Sequence, residues 1–184
     1  MTYYDICASV QKLKRKFGDT DPFQLCKDMG ILLLFQPMGK HETAIKGFYM
    51  LCKRVRSITV NSDLPEIIQK IIVAHELGHA SLHSRCGMQA FHEVALFDNA
   101  SAMEREANLF AAEYLLNDED VLDALNQDTT FFSAAAMLRV PMEMLDFKFR
   151  LMKWKGYKLM EPPIHANGDF MRNMEVPENA DYYS

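Results

Sequence analysis

A chain of 184 residues suits one domain, because domains usually span roughly 100 to 200 residues and bury a core readily at that size. Hydrophobic residues at 49% and charged residues at 24% exclude a disordered or fibrous protein, and a formal net charge of -5 argues against a surface devoted to neutralising phosphates. The four cysteines, Cys7, Cys26, Cys52 and Cys86, are scattered and form no C-x-x-C pair, which suggests neither a Cys-based zinc site nor a disulfide framework and fits a reducing compartment.

Tyr3 to Phe17 reads as an amphipathic helix, with Ile6, Val10, Leu13 and Phe17 at spacings of three and four. Its basic residues Lys12, Lys14, Arg15 and Lys16 follow the apolar ones, so the segment does not read as a secretory leader. The densest apolar runs, at 31–35 and 67–74, fall well short of the roughly 18 residues that a membrane span needs, so the expected location is the cytoplasm. Asp21 and Pro22 open a short helix through Met29 that Gly30 closes. Ile31 to Gln36, Gly47 to Cys52 and Val55 to Asn61 are rich in β-branched and aromatic residues and predict a small three-stranded antiparallel sheet.

Ser62 or Asp63 is expected to cap a long helix carrying Leu64, Ile68, Ile71, Ile72, His75, His79 and Leu82 on one apolar face. A loop from Arg85 to about Asn99 leads to a helix over 101–116, followed by shorter helices that Asn117 or Asp118, Thr129 or Thr130, and Pro141 begin. From Glu161 to Ser184 there is no periodicity, so 1–160 is expected to form the domain and 161–184 a flexible tail. The class is α+β.

The chemistry sits in His75-Glu76-Leu77-Gly78-His79. On a helix, residues i and i+4 lie about 40° apart in rotation and about 6 Å apart in rise, so two imidazoles at that spacing can grip one metal ion. Glu76, about 100° further round, is placed to act on a water held by the metal, whose pKa zinc lowers to about 7, and then to protonate a leaving amine. With six His in the chain, this pattern arises by chance about once in a hundred such sequences, so its context matters. Two imidazoles and a carboxylate on or beside an apolar face cost a few kcal/mol unless they find partners. Gly78 in mid-helix costs ~1 kcal/mol against Ala, which points to something approaching the backbone closely there.

A catalytic zinc needs a third protein ligand and an open position. Glu104 is the candidate, because it shares a helical face with Asn108, Ala111 and Leu115, and Asn108 is then placed to bond a ligand histidine. The alternative is Glu106, if Ser101 and Glu104 form a capping box instead. His83, two turns beyond His75, reads as a supporting or packed core residue, and His92 and His165 as surface residues. Tyr49, His92 and Tyr114 are candidates to stabilise an oxyanion, and nothing in their spacing selects one.

The helices divided by Val140-Pro141 carry Arg139, Lys148, Arg150, Lys153, Lys155 and Lys158, which raises a DNA-reading helix-turn-helix as a rival. The very short turn and the apolar positions Phe131, Ala135, Leu145, Phe149 and Met152 favour packing on the body, so nucleic acid is not the expected partner.

The runs from His75 to His83 and from Glu104 to Leu116 resemble the ImmA/IrrE family of intracellular metallopeptidases, as does the order of elements over roughly residues 20 to 155. The resemblance implies a zincin-like fold, Zn2+ on His75, His79 and Glu104, and Glu76 as the catalytic carboxylate. It also implies a protein substrate, a helix-turn-helix repressor of a mobile element or stress regulon, whose cleavage switches genes on. Where the family often has a proline after the paired leucines, this chain has Asn117-Asp118. The rival from another class is a non-cleaving anti-repressor that keeps the fold and sequesters its partner.

Overall fold

In the computed structural model, residues 1–41, 43–83, 98–126 and 129–174 are described. Helix α1 (Tyr3–Phe17) starts with a capping box between Thr2 and Asp5, and α2 (Pro22–Asp28) with the Asp21 carboxylate accepting from the Phe23 N–H. Both present apolar faces inward, through Ile6, Val10, Leu25 and Cys26.

Strands β2 (Gly47–Cys52) and β3 (Val55–Asn61) form a hairpin across Lys53 and Arg54, at φ 46 and 71, a left-handed pair that suits the twist of a two-residue turn. Their register runs antiparallel from Gly47↔Val60 to Cys52↔Val55. Strand β1 (Leu32–Gln36) lies on the other side of β3 and parallel to it, from Leu32↔Ser57 to Gln36↔Asn61. The α+β architecture thus stands, but the sheet is mixed, in the order β1-β3-β2, where the sequence predicted antiparallel pairing throughout. The reason is topological. The chain reverses at the hairpin only after crossing from β1 to the far side of β3, so β3 returns between its predecessors in the direction of β1. The buried Asn61 side chain secures that crossing, donating to the carbonyls of Gly39 at 2.7 Å and Ile45 at 3.1 Å.

Helix α3 (Glu66–Leu82) is the centre of the molecule, buried from Ile71 through Ala80 and apolar on nearly every side, as a helix enclosed by other elements must be. Its N-cap is Pro65 and no side chain caps it; Asp63, one of the two residues expected there, instead accepts from the Gly39 N–H at 2.7 Å. The sheet covers one side of α3, and α4 (Asp98–Leu115) packs closely along another. A Cβ on Gly78 would stand 3.0 Å from Ala107 Cα and 3.1 Å from Ala107 O, so the crossing element is the backbone of α4.

Helices α5 (Asp118–Leu125), α6 (Phe131–Met137) and α7 (Met142–Trp154) complete this body, with α7 against α4. The basic residues of the DNA-binding rival are largely consumed here. Lys148, 1% exposed, pairs with Glu113 and Asp118, Lys155 pairs with the same two acids, Arg150 with Asp146, and Lys153 with Glu161.

The segment after Glu161, expected to be loose, packs on the body as far as Met174. Ala166, Phe170, Met171 and Met174 are buried, a short helix α8 (Phe170–Asn173) forms, and the Ala166 N–H donates to Asp146 at 2.9 Å. No helical or strand period marks this stretch, because its contacts run through single side chains and backbone groups. Residues 175–184 of the expected tail lie outside the described residues.

Candidate metal centre

The apolar stripe of α3 carries His75 and His79 into the contact with α4, and the close approach at Gly78 brings Glu104 to them. Nε2 of His75 lies 3.2 Å from Glu104 Oε2, Nε2 of His79 lies 3.4 Å from Glu104 Oε1, and the two Nε2 atoms are 3.1 Å apart. Donors arranged tetrahedrally about an ion at about 2.0–2.1 Å stand about 3.3 Å from one another, so these separations match the edges of one coordination site. Without an ion, the two ring nitrogens share the two oxygens of one carboxylate. With one, three lone pairs converge on it, and the donor set could hold a metal. His75 and His79 are buried while Glu104 keeps 28% of its side chain exposed, so solvent reaches the group from the α4 side.

Helix α4 begins at Asp98, three residues ahead of Ser101, which therefore lies inside the helix and is not its N-cap. Glu106, the alternative ligand, turns to His83: its Oε2 accepts from His83 Nε2 at 2.9 Å, and His83 Nδ1 stands 3.1 Å from His79 Nδ1. These distances permit one consistent proton arrangement. If His79 offers its Nε2 lone pair, its Nδ1–H donates to His83 Nδ1, and His83 Nε2–H donates to Glu106. Both imidazoles are then neutral, and the carboxylate at the far end fixes both tautomers. His83→Ala should accordingly weaken metal binding by about 10- to 100-fold, measured by chelator competition. An unchanged affinity would reduce His83 to a packing residue.

Burial acts first on every ionisable group here. It pushes His79 down to about 4, with the charges of His75 and His83 adding to the effect and Glu104 opposing it. At His75 burial also acts downward, but the hydrogen bond and charge of Glu104, then Glu76 and Asn108, outweigh it and the pKa rises. Burial alone would raise Glu104, but its hydrogen bonds to both histidines together with their charges outweigh that and hold it well below the usual carboxylate range. Burial pushes Glu76 up to about 7, opposed by His75, aided by Glu104 and opposed by the backbone N–H of Tyr49. A divalent cation would displace these protons as it bound the anionic and neutral forms.

Tyr49 is thus the β2 residue against Glu76, through its main chain. Its hydroxyl is buried without a hydrogen bond, whereas the Tyr114 hydroxyl donates to the Thr20 carbonyl at 2.7 Å. His165 is exposed, and His92 lies outside the described residues. Sequence reasoning did not find the Tyr49 main-chain contact or the pairing of His83 with Glu106. A backbone donor leaves no residue signature, and the second pair spans two helices.

The family model for M78 peptidases, described as the IrrE N-terminal-like domain, matches residues 26–150 and so includes α3, α4 and all four residues of the centre. The chain belongs to this family. Its relatives include "Uncharacterized immunity region protein 2" of Bacillus phage phi105, 36% identical over 146 residues, covering 79% of this chain and 90% of the relative. Another is "Metallopeptidase ImmA" of Bacillus subtilis (strain 168), 28% identical over 171 residues, covering 86% of this chain and 92% of the relative. Family membership implies a metal, and the three donors grouped at α3 and α4 are where this member could hold it.

Proposed function

We propose that the chain is a cytoplasmic zinc metallo-endopeptidase that cleaves a helix-turn-helix repressor of a mobile element or stress regulon and so relieves repression. The observation that carries this is the convergence of His75, His79 and Glu104 at ligand spacing, with Glu76 adjacent on the same helix. The immunity-region and ImmA names of the relatives support the choice of a repressor as substrate. No helix among the described residues is long and apolar enough to cross a membrane, which fits a cytoplasmic substrate.

In this reading His75, His79 and Glu104 hold Zn2+ and residues 1–160 form the one catalytic domain. When bound, the ion supplies Lewis acidity to the scissile carbonyl and to water. Glu76 takes the proton of the attacking water as oxygen bonds to the carbonyl carbon, then delivers it to the departing nitrogen as the C–N bond breaks. The Tyr49 N–H orients the Glu76 carboxylate for that transfer, and burial raises its basicity to suit work near neutral pH. His83 and Glu106 keep His79 in its ligating tautomer.

The test is to mix the purified chain with the helix-turn-helix repressor encoded beside it. Cleavage at a discrete bond, blocked by a chelator and restored by zinc, is the expected result. An intact repressor that is nonetheless released from its operator in a stoichiometric, chelator-insensitive way would replace catalysis with sequestration.

A further inference from the structure

The docked segment beyond α7 reaches the metal centre through one side chain. Asn108, fully buried on α4 one turn beyond Glu104, donates from Nδ2 to the Gly168 carbonyl at 2.5 Å. Its Oδ1 and the Nδ1 of His75 are both buried without a closed hydrogen bond, and Asn108 acts on His75 as a hydrogen-bonding neighbour. The segment itself is held from below. Asp146 accepts from the Ala166 N–H, Arg150 donates to the Ala166 carbonyl at 2.7 Å and pairs with Asp146, and the Phe170 ring lies 5.6 Å from that of Phe147. The segment itself lies beyond residue 150, where the match to the family model ends.

An asparagine amide has two distinguishable ends, a donor NH2 and an acceptor oxygen. With the NH2 engaged by the Gly168 carbonyl, the oxygen is the end left for His75. An oxygen there favours a proton on Nδ1, which leaves the lone pair on Nε2, the atom facing His79 and Glu104. If the segment leaves, the amide can turn over and offer its NH2 to Nδ1, favouring the tautomer that carries its proton on Nε2 and cannot ligate.

We infer that residues 164–174 are a positioning strap for the metal centre, fixing the Asn108 amide through Gly168 and thereby the ligating tautomer of His75. The inference rests on the reading of His75 as a ligand. By linkage the coupling runs both ways: the strap raises metal affinity, and metal tightens the strap by the same factor.

Two measurements on the full chain test it, neither of them needing activity. Hydrogen exchange of the wild-type protein should slow about 10-fold at residues 164–174 on adding zinc, matching the lower end of the roughly 10- to 100-fold effect of such outer partners on metal affinity. The double variant Arg150→Met/Phe170→Ser, which touches neither a proposed ligand nor Asn108, should bind zinc about 10-fold more weakly in chelator competition. Unchanged exchange in a wild-type protein that has taken up zinc would overturn the strap. So would full zinc affinity in a variant whose segment exchanges freely. A wild-type protein that takes up no zinc would instead overturn the metal reading beneath it.

Discussion

Glu76→Gln is expected to lower repressor cleavage by about 10²- to 10⁴-fold while leaving zinc content and fold intact. The amide is isosteric with the carboxyl and can still accept from the Tyr49 N–H, so the contact between β2 and α3 survives. What it loses is the ability to take a proton from water and return it to the amine. In the metal-free protein the substitution carries a second, independent signature. Because burial raises the folded-state pKa of Glu76 to about 7, above its value in the unfolded chain, its contribution to stability is present at low pH and lost as pH rises through that value. Glutamine has no such dependence, so the metal-free variant should melt above the metal-free wild type at pH 8. Near-normal cleavage by the variant would remove Glu76 from proton transfer.

Gly78→Val should be the most damaging single change outside the ligands. Even a Cβ here meets the Ala107 backbone at 3.0 and 3.1 Å and Phe110 Cβ at 3.2 Å, and backbone cannot rotate aside as a flexible side chain can. Valine places two methyl groups beyond that contact. Overpacking of this kind costs about 1–3 kcal/mol, which in a chain of this size lowers the melting temperature by about 3–10 °C. The larger consequence is geometric. Glu104 lies one turn before Ala107 on α4, so pushing the helices apart carries the carboxylate away from both imidazoles, and zinc affinity should fall with stability. Gly78→Ala separates the two effects, since the ~1 kcal/mol gain in helix propensity offsets part of the strain while affinity still drops. A valine variant with wild-type melting and affinity would show that α3 and α4 are not pressed together here.

The features the sequence displayed most clearly are those set by local spacing. The stripe on α3 put His75 and His79 on the buried side, and the glycine between them announced a close neighbour, which is the α4 backbone. The face shared by Glu104, Asn108 and Ala111 pointed this carboxylate at α3, as the structure has it. Less was visible wherever distant chain segments decide. Turn residues 53 and 54 specify the β2–β3 hairpin, but nothing near β1 says on which side of β3 it will lie, so its parallel pairing was missed. The docking of the segment after Glu161 depends on the Ala166 N–H donating to Asp146 and on the carbonyls of Ala166 and Gly168 accepting from Arg150 and Asn108. Backbone acceptors carry no mark in the sequence.

X-ray absorption at the zinc edge of the loaded protein addresses the central claim most directly. The account predicts one zinc per chain with two imidazole nitrogens and two oxygens at about 2.0–2.2 Å, one imidazole being lost in His75→Ala and one oxygen in Glu104→Ala. A sulfur neighbour at about 2.3 Å, a first shell unaltered by those substitutions, or a folded protein that retains no zinc would contradict it.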